Sequence, residues 1–149
     1  MQHVIKQMSV ILANTYTLYL KTQNYHWHVK GPQFKALHEL FESQYKELSE
    51  AIDTIAERIV TKEHQAPASF AAFMSLKTLK EGESSLTANQ MLADLVNDHC
   101  LLLNQLQEAE CAANELGDAG SVTLFDDRIV AHEKMRWMLN ASKEEHLEN

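Results

Sequence analysis

Apolar residues recur three and four positions apart through four long stretches of this chain, and Gly or Pro falls only between those stretches. That pattern leaves little room for anything but long amphipathic helices. The first stretch covers about residues 2–28, with Val4, Met8, Ile11, Leu12 and Tyr19 on one side, and it ends at the helix-breaking pair Gly31-Pro32. The second, about 33–60, carries Leu37, Leu40, Phe41, Leu48, Ile52, Ile55 and Ile59. The third opens on Thr87-Ala88-Asn89-Gln90, a capping-box pattern. It runs through Leu92, Leu95, Leu102, Leu103 and Leu106 to Leu116, where Gly117 supplies a C-terminal stop. The fourth starts near Ser121, a good N-cap residue, and continues through Phe125, Ile129, His132 and Leu139 to about residue 142.

A long connection joins the second stretch to the third, and Ser69-Phe70-Ala71-Ala72-Phe73-Met74 within it predicts one short extra helix. Four helices of similar length with a single crossover describe an all-α, ferritin-like four-helix bundle. No repeat or linker divides the sequence, so residues 1–149 are expected to form one domain. No apolar run is long enough to span a membrane. Met1-Gln2-His3-Val4-Ile5-Lys6 lacks the features of a signal peptide, so a cytoplasmic location is expected. Cys100 and Cys111 fall on one predicted helix, roughly 16 Å apart along it, too far to pair within the chain. They read as reduced thiols with no assigned role.

A bundle alone says little about function. Di-iron bundle proteins of the ferritin type carry Glu-x-x-His motifs that project into the core, and this chain has none. The second helix offers a different arrangement. His38 and Glu42 are spaced i, i+4, as are Asp53 and Glu57. With Leu37 set at zero, the apolar stripe falls between about 0° and 60° around the helix. The four polar residues fall between about 100° and 200°, on the flank of the bundle. His38 and Asp53 lie roughly 22 Å apart along the axis, so they cannot hold one ion within a single chain. Two copies packed antiparallel across a two-fold axis would bring His38 and Glu42 of one against Asp53 and Glu57 of the other, making two equivalent sites. Imidazole and carboxylate ligands suit iron, and zinc is a substitute such a set also accepts. On spacing alone, a solvated polar flank accounts for the same residues.

The run Asn24-Tyr25-His26-Trp27-His28-Val29-Lys30-Gly31-Pro32-Gln33-Phe34, then Leu37-His38-Glu39-Leu40-Phe41 and Asp53-Thr54-Ile55-Ala56-Glu57-Arg58, closely resembles the signature of the Dps (DNA-binding protein from starved cells) family. The likeness extends more weakly to His132-Glu133-Lys134 and Trp137-Met138-Leu139, and so spans most of the chain. The resemblance implies a homo-dodecameric shell with ferroxidase sites between subunits. Carried over by position, His26 and His38 match the histidine ligands, and Asp53 and Glu57 the acidic ligands from the two-fold mate. Glu42 matches an additional carboxylate, and Trp27 the tryptophan beside the site. It further implies that ferrous iron is oxidised, preferentially by hydrogen peroxide rather than O2, and stored as ferric oxide in protection against oxidative stress.

Other positions carry weaker expectations. His28 reads as a surface residue and His132 as a core histidine. Asp118 and Asp127 match family carboxylates of a three-fold pore, where Thr123 departs from the pattern, and Asp126 reads equally as a helix-start acid. The rival function, a DNA-compacting structural protein with secondary iron chemistry, needs Lys and Arg to neutralise phosphates. The formal net charge is −8, only Lys6 precedes the body of the first helix, and the end, Ser142-Lys143-Glu144-Glu145-His146-Leu147-Glu148-Asn149, is net acidic. DNA binding is therefore not expected.

Overall fold

The computed structural model describes residues 1–144. The terminal Glu145-His146-Leu147-Glu148-Asn149, part of the acidic end weighed against DNA binding, lies outside them. Five helices follow in order: α1 Gln2–His28, α2 Phe34–Thr61, α3 Phe70–Leu76, α4 Ala88–Glu115 and α5 Ala119–Ala141. No strand occurs among the described residues. The four long helices make the all-α, ferritin-like bundle, and α3 is the short extra helix of the crossover. α1 packs most extensively on α2 and α4 on α5, while α1–α4 and α2–α5 contacts close the ring. Along its axis run Met8, Leu18, Phe41, Leu48, Ile55, Met91, Leu95, Leu102, Phe125 and Leu139, all buried. None of the helices is long and apolar enough to cross a membrane.

Local chemistry sets the helix ends. Gly31, at φ 115°, turns the chain between α1 and α2 in a conformation that favours glycine. Thr87 and Gln90 form the reciprocal capping box that starts α4. Ser69 caps α3 by accepting from the Ala72 amide. The start of α5 differs from expectation. Its N-cap is Asp118, and Ser121 lies buried in the first turn. The Asp118 carboxylate accepts from the Ser121 hydroxyl at 2.6 Å and from its amide at 3.4 Å. Both residues are favoured caps, and Arg58 of α2 donates to both, at 2.8 Å to Asp118 and 3.1 Å to Ser121, but it is the Asp118 carboxylate that accepts the first-turn amide.

A polar row on α1 fixes the crossover. Buried Asn14 accepts from the Thr78 and Leu79 amides at 2.8 and 3.1 Å, and donates to Gln105 of α4 at 2.9 Å. Lys21, seven residues on, ion-pairs with Asp94 and Asp98 and donates to the Lys80 carbonyl. The Tyr25 hydroxyl donates to Asp94 and accepts from the Glu83 amide. Spacings of seven and four keep all three on one helix face. Gly82 lies so close that a Cβ there would sit 3.0 Å from Lys21 Cγ.

Candidate metal centre

His26 lies in the last turn of α1 and His38 early in α2. The turn at Gly31 folds these ends together, and the two imidazoles stack at 3.8 Å between centroids with 14° between planes. Each Nδ1 meets the other residue's backbone carbonyl, at 2.6 Å for His26 and 2.7 Å for His38. A carbonyl only accepts, so both Nδ1 atoms carry hydrogen and donate. Both Nε2 lone pairs are thereby left available, which is the tautomer a metal-binding imidazole needs. Each histidine thus orients the other.

His26 is 6% exposed. Its Nε2 lies 3.8 Å from Glu42 Oε1, and Lys46 stands 3.4 Å from the other Glu42 oxygen. Phe34 stacks on His38 at 5.0 Å, and Tyr45 meets His26 edge-on at 5.3 Å. Trp27 is 59% exposed. Further along the same flank of α2, Asp53 and Glu57 are exposed. A hydrogen bond to Asp53, then repulsion by its charge, holds the Glu57 carboxyl above the usual carboxylate range. Two carboxylates this close repel, and a cation relieves them.

One chain therefore brings together His26, His38 and Glu42, and separately Asp53 with Glu57. It does not join the two groups, which α2 keeps roughly 22 Å apart. Among the described residues no three His, Cys, Asp or Glu side chains converge closely enough to hold a metal ion.

Elsewhere, His28 is exposed and turned back onto Asn24, as expected of a surface residue. His132 is in the core, as expected, but not alone. Its Nδ1 meets His99 Nδ1 at 2.9 Å, and its Nε2 meets Arg128, which also clasps Glu47 with two nitrogens. Asp118, matched above to a pore carboxylate, is buried and committed to Arg58, Lys62 and Ser121. Thr123, Asp126 and Asp127 are exposed, and Cys100 and Cys111 are free thiols on α4. Sequence reasoning missed Tyr45 and the His99 pairing. Tyr45 stands seven residues after His38 on the same flank, a signal that was available.

The fold and this constellation can be set beside known proteins. A family model of the ferritin-like domain matches residues 5–145. The DNA protection during starvation protein of Brevibacillus brevis is 36% identical over 146 residues, covering 95% of this chain and 98% of its own. A crystal structure of a Dps protein from Vibrio cholerae, described as a member of a broad superfamily of ferritin-like di-iron-carboxylate proteins, superposes with a TM-score of 0.90 at 35% identity, covering 94% of this chain and 88% of that one. Dps from Staphylococcus aureus gives a TM-score of 0.93 at 32% identity, covering 99% and 98%. The protein is thus ferritin-like in class. Within that class, the chain belongs to the Dps family of miniferritins.

Proposed function

We propose that this chain is the subunit of a homo-dodecameric cytoplasmic shell that oxidises ferrous iron at intersubunit sites, preferentially with hydrogen peroxide, and stores the ferric product. Iron storage or protection of DNA is the general role of its family. The finer reading is carried by one observation. His26 and His38 lock each other's Nε2 lone pairs free while a pair of carboxylates, Asp53 and Glu57, sits far along the same flank. A two-fold mate supplies the missing half to each site. Exposed Leu20, Phe70 and Met74 line one groove, an apolar patch of the kind that subunit contacts cover.

In this reading iron is substrate. Neutral imidazoles of His26 and His38 hold the ferrous ion, and the carboxylates of Asp53, Glu57 and Glu42 stabilise the higher charge of the ferric product. Two ferrous ions, one hydrogen peroxide and two protons give two ferric ions and two waters, so no single electron is left to make hydroxyl radical. Zinc competes for the same ligands and is not oxidised. Anaerobic ferrous titration followed by peroxide tests the reading. Saturable ferrous binding, then oxidation of two ferrous ions per peroxide, is expected; fast oxidation by O2 with indifference to peroxide would overturn the oxidant preference.

The names of relatives favour a second reading, DNA protection by binding. The net charge of −8 opposes it.

A further inference from the structure

Peroxide takes two electrons and a ferrous ion gives one. A site that holds a single ferrous ion when peroxide arrives must find the second electron elsewhere or release hydroxyl radical. A row of phenols leads away from the proposed site. Tyr45 meets the His26 ring edge-on at 5.3 Å, Tyr19 meets Tyr45 at 6.0 Å, and Tyr16 meets Tyr19 at 5.8 Å. All three spacings lie within the range of direct aromatic contact. Each tyrosine is half-buried, so a phenol here has a path to shed its proton.

The fourth tyrosine of the chain makes the contrast. Tyr25, directly before His26, points its hydroxyl into the Asp94–Lys21 cluster. Burial and the Asp94 carboxylate raise its pKa strongly, and it touches none of the others. Phenylalanine would give the same edge-on ring contacts, although the Tyr19 hydroxyl also accepts from Gln23 at 3.1 Å. What phenylalanine cannot do is give up a hydrogen atom.

We propose that Tyr45, Tyr19 and Tyr16 form an electron-donating relay that completes peroxide reduction when the site holds one ferrous ion. This rests on the ferroxidase reading above. One ferrous ion, one tyrosine phenol, one hydrogen peroxide and one proton give one ferric ion, one neutral tyrosyl radical and two waters. The peroxide O–O bond and the phenol O–H bond break, and the phenolic hydrogen ends in water. Tyr45 is oxidised first, and transfer from Tyr19 and Tyr16 moves the radical away from the iron.

The test loads the assembled, metal-free protein anaerobically with one ferrous ion per site and mixes it rapidly with peroxide. Frozen samples are read by electron paramagnetic resonance, alongside ferric absorbance and a hydroxyl-radical spin trap. The expected result is a tyrosyl signal that narrows when the protein carries ring-deuterated tyrosine and fades when two ferrous ions per site are supplied. Tyr45→Phe should cut radical per iron oxidised several-fold and raise the spin adduct. Tyr19→Phe with Tyr16→Phe should keep the radical but confine it to Tyr45, within magnetic reach of iron. Iron oxidised with no tyrosyl radical, or a radical on Trp27 instead, overturns the relay while leaving the ferroxidase reading intact. No iron oxidation by the wild-type protein at either loading overturns both.

Discussion

At His132 a chain of hydrogen bonds assigns every proton. Arg128 only donates, so His132 Nε2 accepts from it, His132 Nδ1 carries hydrogen, and His99 Nδ1 accepts in turn. His99 is thus left with a buried Nε2–H that has no partner. A proton added anywhere breaks the chain beside a guanidinium. Burial first, then Arg128 and Arg136, push His99 down to about 3, and burial and His99 push His132 well below its ordinary value. Since the unfolded histidines protonate near 6.5, the stability they confer is complete above that pH and is lost as pH falls below it, for His99 down to about 3. Asp98 works the other way. Burial raises it to about 6 despite Lys21, so its share of stability grows as pH falls from about 6 toward the ordinary carboxylate value. Two histidines outweigh one aspartate, and acid should weaken the fold. Below pH 6.5 each histidine forfeits about 1.4 kcal/mol per pH unit. His99→Leu with His132→Leu should flatten the slope of urea midpoint against pH between 6.5 and 4, at fixed protein concentration with chelator. An unchanged slope would refute this proton assignment. His26 and His38 were legible as ligand types, while their mutual hydrogen bonds were not, because these join residues twelve positions apart through backbone carbonyls. His132 was read as core from its apolar spacing. His99 was overlooked because its environment is set by α5, not by its own helix.

The capping box at Thr87 and the break at Gly31-Pro32 were readable because each is written in four adjacent residues or fewer. The start of α5 was not. Asp118 and Ser121 are both favoured caps, and the pocket that holds both is completed by Arg58, some sixty residues away on α2. The crossover was legible as a connection but not as a fixed one. Its anchors are Asn14, Lys21 and Tyr25 on α1, polar residues whose partners in the crossover lie about sixty positions away in the chain. Asn14→Leu would leave the Thr78 and Leu79 amides without their acceptor, at a cost of about 1–3 kcal/mol for the buried Leu79 amide. The variant should unfold at a clearly lower urea concentration and be cleaved faster by protease between α3 and α4. Its His26–His38 pair, at the far end of α1, should still take up ferrous iron. A variant as stable as wild type would mean that these hydrogen bonds do not hold the crossover.

For the assembled molecule, charge and symmetry carry the expectations. Thirteen basic residues against twenty-one acidic ones leave little to neutralise phosphates, so plasmid DNA should migrate unretarded in saline buffer containing chelator. A stable complex there would favour the DNA-protecting reading. Symmetry makes the stronger demand. If each iron site takes His26 and His38 from one subunit and Asp53 and Glu57 from its mate, either half can be deleted on its own. His26→Ala with His38→Ala, and separately Asp53→Asn with Glu57→Gln, should each assemble, since Asp53 and Glu57 are exposed and the histidines lie at a helix-end hairpin. Each alone should oxidise iron poorly. When the two are unfolded and refolded together, about half of randomly formed dimers are mixed. In a mixed dimer the intact histidines face the intact carboxylates at one site, and both mutated halves meet at the other. Peroxide-dependent oxidation should therefore recover to about a quarter of wild type. If mass spectrometry proves co-assembly and no activity returns, the ligands act within one chain or other residues bind the iron.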